Sequence, residues 1–194
     1  MIHRELSAKD RRICIIFGNT LAQRCLNGSE GSEIKLDKLA GCLSGDVLDK
    51  FKIEIIYCRI FIAFHILKIE LSIQNFRYKE FEISWNAFQN WFKKNWQEWF
   101  EYRVTYRIVE YSKIFLPNGV YEGLKIDDSI VDYLLIKVGF TDEELFFDSA
   151  DLKKFFVEEC TSCKNFADDV VFWLSLDSEI RDETFKQLNI KFLN

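Results

Sequence analysis

The middle third of the chain runs without the usual helix and strand breakers, because residues 46–116 contain neither glycine nor proline. A set of strands of this length would need several turns, and turns favour those two residue types. Long helices need neither of them. The pattern therefore predicts a mainly α fold, a multi-helix bundle with two long helices at about 46–73 and 84–115.

In the first long helix, a rotation of about 100° per residue places apolar side chains on two opposite faces. One face holds Phe51, Ile55, Ile62 and Ile69, and the other holds Ile53, Ile56, Ile60, Phe64, Leu67 and Leu71. A helix that is apolar on two faces normally packs between neighbours. The alternating stretches FKIEI and KIELSI leave a strand as the competing interpretation.

The second long helix opens on an aromatic segment, WNAFQNWFKKNWQEWFEY, which holds four of the five tryptophans. With Ser84 as its cap, most of these rings fall on one side of a helix and the charged residues on another. We therefore expect the rings to face the core. Trp91 and Tyr102 lie at the edge of this stripe, which makes them the candidate interface residues for a protein partner.

Beyond this segment the pattern changes, since YRVTYRIVEY alternates between apolar and polar positions. A minor β element near 100–110 is therefore an open alternative to helix. After the turn LPNG, shorter helices are expected. One spans Asp127–Val138 and ends at Gly139, and two more flank the sequence CTSC at 160–163. We expect a single domain over 1–194, with a subdomain hinge near 117–125.

Charge and composition allow a prediction of the cellular location, but they do not indicate an activity. The net charge is −5, and the apolar stretch IIYCRIFIAFHILKI is interrupted by Arg59, His65 and Lys68. A membrane span needs about 20 mainly apolar residues, and the N-terminus lacks the pattern of a signal peptide. We therefore expect a cytoplasmic protein that does not bind a membrane, with its six cysteines reduced.

The spacing of Cys160 and Cys163 is typical of redox or zinc motifs. A structural zinc usually needs two such pairs, and the sequence has no second one. The two cysteines are therefore interpreted as packing residues at a helix junction. No metal or cofactor is expected.

Two arginines offer a candidate ligand site. Arg103 and Arg107 are one helical turn apart, and guanidinium pairs bind carboxylates or phosphates. The predicted pocket contains Trp96, Trp99, Arg103, Tyr106 and Arg107. Two alternatives stay open: the arginines pair with acidic residues near Glu158, Asp168 or Asp169, or they lie on a solvated face.

Arg59 and His65, in RIFIAFH, resemble the ribonuclease motif of the all-helical HEPN family. The resemblance covers two residues, and Ile60 replaces the polar residue that the family motif has after the arginine. It implies that Arg59 binds phosphate and that His65 acts as an acid or base on RNA.

Nucleic-acid binding is otherwise not expected, because the rings lie at core spacing and the chain is acidic. No other catalytic motif is present in the sequence. The sequence therefore favours a non-enzymatic interaction or regulatory module that binds a protein partner or a second copy of itself. The alternatives are a small-molecule or anion sensor that uses the aromatic and arginine pocket, and a HEPN-like ribonuclease.

Overall fold

A computed structural model describes residues 5–39, 45–116, 128–140 and 150–187. Within these ranges the chain forms eight α-helices and one π-helical segment, with no strand. The predicted mainly α fold is confirmed. The elements are α1 (Ala8–Asn27), α2 (Ser32–Leu39), α3 (Gly45–Ile66), the π segment (Leu67–Gln74), α4 (Tyr78–Asn95), α5 (Glu101–Phe115), α6 (Asp128–Val138), α7 (Ala150–Ser175) and α8 (Ser178–Gln187).

The first predicted long helix is present, since α3 continues into the π segment without a break. Its two apolar faces are both buried. Phe51, Ile55 and Ile62 on one face, and Ile60, Leu67 and Leu71 on the other, are at most 3% exposed. The strand interpretation is wrong, because burial on both sides accounts for the isoleucines at helical spacing.

The second predicted helix is two helices, α4 and α5, separated at residues 96–100. Trp96 and Phe100 adopt extended backbone angles, which ends one helix and precedes the next. Ser84 is not a cap, because α4 begins at Tyr78 and Ser84 is buried within it. The possible β element near 100–110 is also wrong. That stretch is helical and buries Val104, at a helical spacing from other buried residues of α5.

The C-terminal region also differs from its prediction. α6 ends before Gly139 as expected, and Gly139 has a φ of 113°, a conformation that favours glycine. The two helices expected around CTSC are one helix of 26 residues, α7. Cys160 and Cys163 therefore lie inside a helix and not at a junction, because no glycine or proline interrupts the segment.

The chain divides into two compact units. Unit 1 comprises Met1–Ala22, Phe64–Gln97 and Phe166–Asn194, and unit 2 comprises Gln23–Ala63 and Glu98–Asn165. The predicted hinge near 117–125 lies outside the described residues. A single domain over 1–194 stays a prediction.

Unit 1 contains the aromatic side of α4. Ring centroids lie 4.7 Å apart for Trp85 and Phe88, 5.0 Å for Phe88 and Phe92, and 5.7 Å for Phe92 and Trp96. Phe88 and Phe92 are fully buried. The aromatic segment is thus core-forming over the length of α4, as its spacing predicts.

Unit 2 packs α5 against α3 through aromatic residues as well. Phe61 of α3 lies 5.9 Å from Tyr111 and 5.0 Å from Phe115, measured between ring centroids. All three rings are buried. Because these contacts fix one side of α5, its opposite side is left to face solvent.

Candidate functional site

A buried ion pair in unit 2 joins α3 to α7. Arg59 Nη2 lies 2.6 Å from Glu159 Oε2, and the two side chains are 4% and 1% exposed. Arg59 also donates to the carbonyl of Cys25 at 3.3 Å and to Ser32 Oγ at 3.4 Å. Burial raises the pKa of Glu159. Hydrogen bonds from Ser29 and the charge of Arg59 lower it by more than burial raises it, so the net pKa falls below 4.5. The Glu159 carboxylate is therefore charged at neutral pH.

The loop between α1 and α2 closes over this pair. Ser29 donates its backbone N–H to Glu159 Oε2 at 2.9 Å. Gly28 has a φ of 77°, and a Cβ there would lie 2.6 Å from Arg59 Nη2 and 2.7 Å from Glu159 Oε2. Only glycine allows the loop to approach the ion pair this closely.

A cavity of about 380 Å³ lies beside the same arginine, and we call it the Arg59 cavity. Its apolar wall includes Ile55 and Ile56 of α3 and Phe155 of α7. Lys52 contributes a second cation, and Glu33 contributes a solvent-exposed carboxylate. Arg59 Nε is buried and has no hydrogen-bond partner among the described residues. The volume and mixed lining are typical of a small-molecule site.

A second buried carboxylate, Glu54 of α3, organises the α5 and α6 side of unit 2. It accepts hydrogen bonds from Arg107 Nη2 and from the Tyr111 hydroxyl. Arg107 and Lys137 each also lie 2.7 Å from Glu110 Oε2. We call these residues the Glu54 network. Its two carboxylates face two cations, so the charges balance within the network.

Four buried thiols of unit 2 form two pairs. Cys25 Sγ lies 3.8 Å from Cys163 Sγ, and Cys58 contacts Cys160. Burial raises the pKa of Cys25 and of Cys58 well above 9.0. All four are free thiols. The four buried thiols act as packing groups, and the raised pKa values make Cys25 and Cys58 poor nucleophiles.

The outer side of α5 carries an exposed row of large side chains, which we call the α5 face. Tyr102, Tyr106 and Val109 are 67%, 66% and 51% exposed and follow one another at helical spacings of four and three. Arg103 stacks beside this row, 4.7 Å from the Phe100 ring centroid and 5.9 Å from that of Tyr102. Tyr133 of α6 is also exposed and donates to Glu110 Oε1 at 3.1 Å.

The residues of the predicted ligand pocket differ in the unit that contains them, in their burial and in their ion-pair partners. Trp96 belongs to unit 1, and the other four belong to unit 2. Trp99 is buried and Tyr106 is exposed. Arg103 faces Glu98, at 3.7 Å, whereas Arg107 bonds to Glu54 and Glu110. Arg107 thus has the internal salt bridge of the first alternative, but with partners that differ from the acidic residues expected.

The two candidate interface residues also differ. Trp91 is half-buried in α4 of unit 1, with its ring centroid 5.7 Å from that of Phe92. Tyr102 belongs to the α5 face of unit 2. The pocket and the interface both stay predictions.

The residues that resemble the HEPN motif have unlike surroundings. Arg59, taken as a whole residue, is 3% exposed, and its side chain is bound to Glu159. His65 is half-buried and lies in unit 1. Burial lowers the pKa of His65 below 6.5, and the charge of Lys68 adds to this effect. The Arg59 guanidinium already pairs with a carboxylate, and the ribonuclease role of the two residues stays a prediction.

Comparisons with protein-family models, with curated proteins and with solved structures found no match for this chain. Among the helices that the structure describes, none combines the length and apolar character needed to cross a bilayer. Over the same part of the chain, no three His, Cys, Asp or Glu side chains cluster in a way that could hold a metal ion.

Proposed function

We propose that this chain is a non-enzymatic interaction module that binds a protein partner through the α5 face. The observation that carries the proposal is the exposure of Tyr102, Tyr106 and Val109 on one side of a helix whose other side is buried. Aromatic residues and arginine dominate the binding energy of protein interfaces. Tyrosine does so because it buries much area with few rotatable bonds.

The arrangement of Arg103 supports the same role. Its guanidinium stacks over Phe100 and lies near the ring of Tyr102, and it keeps a partly exposed ion pair with Glu98. An arginine already held over an aromatic ring loses little conformational entropy when a partner covers it. A partner with an apolar groove and a carboxylate would match this surface.

A second copy of the chain is the first partner to test. Glu98 and Arg103 supply both charges next to the row, so a two-fold interface can pair them across copies. The proposal includes a cytoplasmic location, where free cysteines such as those of unit 2 are usual.

Sedimentation velocity over a range of protein concentrations tests this proposal. The wild type should dimerise. The double variant Tyr102→Ser/Tyr106→Ser should dissociate at least about thirtyfold more readily, since even one lost hot spot costs about 2 kcal/mol. Tyr78→Ser is the matched control, because Tyr78 is 46% exposed but lies on α4 of unit 1.

A partner of another sequence is tested by affinity capture with the same three proteins. Such a partner should be retained by the wild type and by Tyr78→Ser, and lost from the double variant. A monomer at every concentration, together with no captured protein that depends on Tyr102 and Tyr106, would end the proposal.

A further inference from the structure

Arg59, which lines the Arg59 cavity, has a buried donor that the fold leaves unused. Arg59 has five N–H donors. Its Nη atoms serve Glu159, Ser32 and the carbonyl of Cys25. The buried Nε–H has no partner among the described residues, although the arginine lines the cavity. An unsatisfied buried donor is costly, so an acceptor that enters the cavity would be stabilised there.

The charge at this inner end is already balanced, because Glu159 neutralises Arg59. A full negative charge beside Arg59 would also meet the Glu159 carboxylate. The group that best suits the Nε–H is therefore a neutral acceptor, such as a hydroxyl or a carbonyl oxygen.

The other end of the cavity differs, because Lys52 is half-buried and forms no hydrogen bond or ion pair with any described residue. Lys52 precedes Arg59 by seven residues, which is two turns of α3 and about 10 Å along the helix axis. Between them the wall is apolar, formed by Ile55 and Ile56 with Phe155. Glu33 is exposed to solvent, where its charge is screened.

We propose that the Arg59 cavity binds an elongated small molecule that has a carboxylate at one end and a neutral oxygen acceptor at the other. The carboxylate pairs with Lys52, the acceptor takes the Nε–H of Arg59, and an unbranched or aromatic body packs on the isoleucines and Phe155. This site shares no residue with the α5 face, so it stands or falls independently of the proposed partner binding.

Three probes of matched length separate these contributions: 8-hydroxyoctanoate, octanoate, which lacks the inner acceptor, and octane-1,8-diol, which lacks the carboxylate. Calorimetric titration should show saturable binding of 8-hydroxyoctanoate and about tenfold weaker binding of each of the others, which corresponds to one lost polar contact apiece. In NMR spectra the Arg59 Nε–H signal should shift with 8-hydroxyoctanoate and with the diol.

Variants of two lysines on the same helix test the outer end. Lys52→Met should weaken 8-hydroxyoctanoate binding to the level of the diol and leave diol binding unchanged. Lys50→Met is the control, because Lys50 is exposed and pairs with Asp46 at 2.7 Å. Ile56→Trp should fill the cavity and abolish binding of all three probes, while its far-ultraviolet circular dichroism stays that of the wild type.

Several results would overturn the assignment. They are a lack of saturable 8-hydroxyoctanoate binding, equal affinity for the three probes, equal effects of Lys52→Met and Lys50→Met, or unchanged binding in Ile56→Trp. Any of these would leave the cavity as a solvent-filled space beside a structural ion pair.

Discussion

Unit 2 contains two buried charge clusters that differ in how completely they are paired. In the Glu54 network, the carboxylates of Glu54 and Glu110 face the cations of Arg107 and Lys137. In the other cluster, one arginine pairs with Glu159, one donor is unused, and a cavity adjoins it. A saturated network has nothing left for a ligand, so the difference separates a structural cluster from a candidate binding site.

The largest expected effect comes from removing the carboxylate that neutralises Arg59. Glu159→Gln leaves the buried Arg59 charge without a counter-ion, and such changes cost about 3–5 kcal/mol of unfolding free energy. Urea unfolding at pH 7 measures this loss. Glu158→Gln is the neighbouring control, since that exposed residue makes only a surface pair with Lys35 at 3.2 Å and should cost below about 1 kcal/mol. Equal losses would contradict the structural assignment of Glu159.

An intermediate effect is expected when one donor is removed from the Glu54 network. Tyr111→Phe deletes the hydroxyl that bonds to Glu54, and a hydrogen bond to a charged group contributes about 1.5–3 kcal/mol. Arg107 and Lys137 still face the carboxylate, so the loss should be smaller than for Glu159→Gln. Tyr133→Phe removes an exposed hydroxyl from Glu110 and should change the unfolding free energy by about 0.5 kcal/mol or less. Urea unfolding should give losses of unfolding free energy that decrease in the order Glu159→Gln, Tyr111→Phe, Tyr133→Phe.

The smallest expected effect is a pH dependence shared by both clusters. Burial raises the pKa of Glu110, but hydrogen bonds from Lys137 and Arg107 outweigh it, so the net pKa lies below 4.5. Glu159 shifts in the same direction. The unfolded chain then binds more protons than the folded chain. This stability is therefore present above about pH 4.5 and is lost as the pH falls through the lowered pKa values.

Unfolding measured from pH 6 to pH 3 should show that loss. Glu110→Gln should start from a lower stability at pH 6 and lose less of it on acidification than the wild type does. A variant whose profile has the same slope as the wild type would show that Glu110 titrates alike in the folded and unfolded chain.

Local pattern was enough to predict the helical class. The absence of glycine and proline after Gly45 predicted α3 and its continuation, and the ring spacing predicted the buried side of α4. The break at residues 96–100 was missed because neither glycine nor proline marks it. Ser84 also has the chemistry of a cap, but tertiary packing placed it inside α4, where its carbonyl would clash with a Cβ added to Gly18.

The candidate site could not be found from local pattern, because Arg59 and Glu159 are 100 residues apart. One signal was present. Glu54 and Arg59 are the charged residues within the otherwise apolar stretch 53–64 of α3, and buried charges require partners. That rule identifies both as paired residues, but it cannot name Glu159 or Arg107. The α5 face was predicted in part. Tyr102 was expected at the edge of the ring stripe, whereas Tyr106 was assigned to a ligand pocket and is exposed.

The reactivity of the buried thiols reports how readily each unit opens. Burial raises the pKa of Cys14 in unit 1 from 9.0 to about 12, and it raises that of Cys25 in unit 2 as well. An alkylating reagent reacts with thiolates, so these positions are modified only after the surrounding helices separate. Labelling rates read peptide by peptide in a mass spectrometer would therefore give the opening free energy of each unit separately, without any introduced dye.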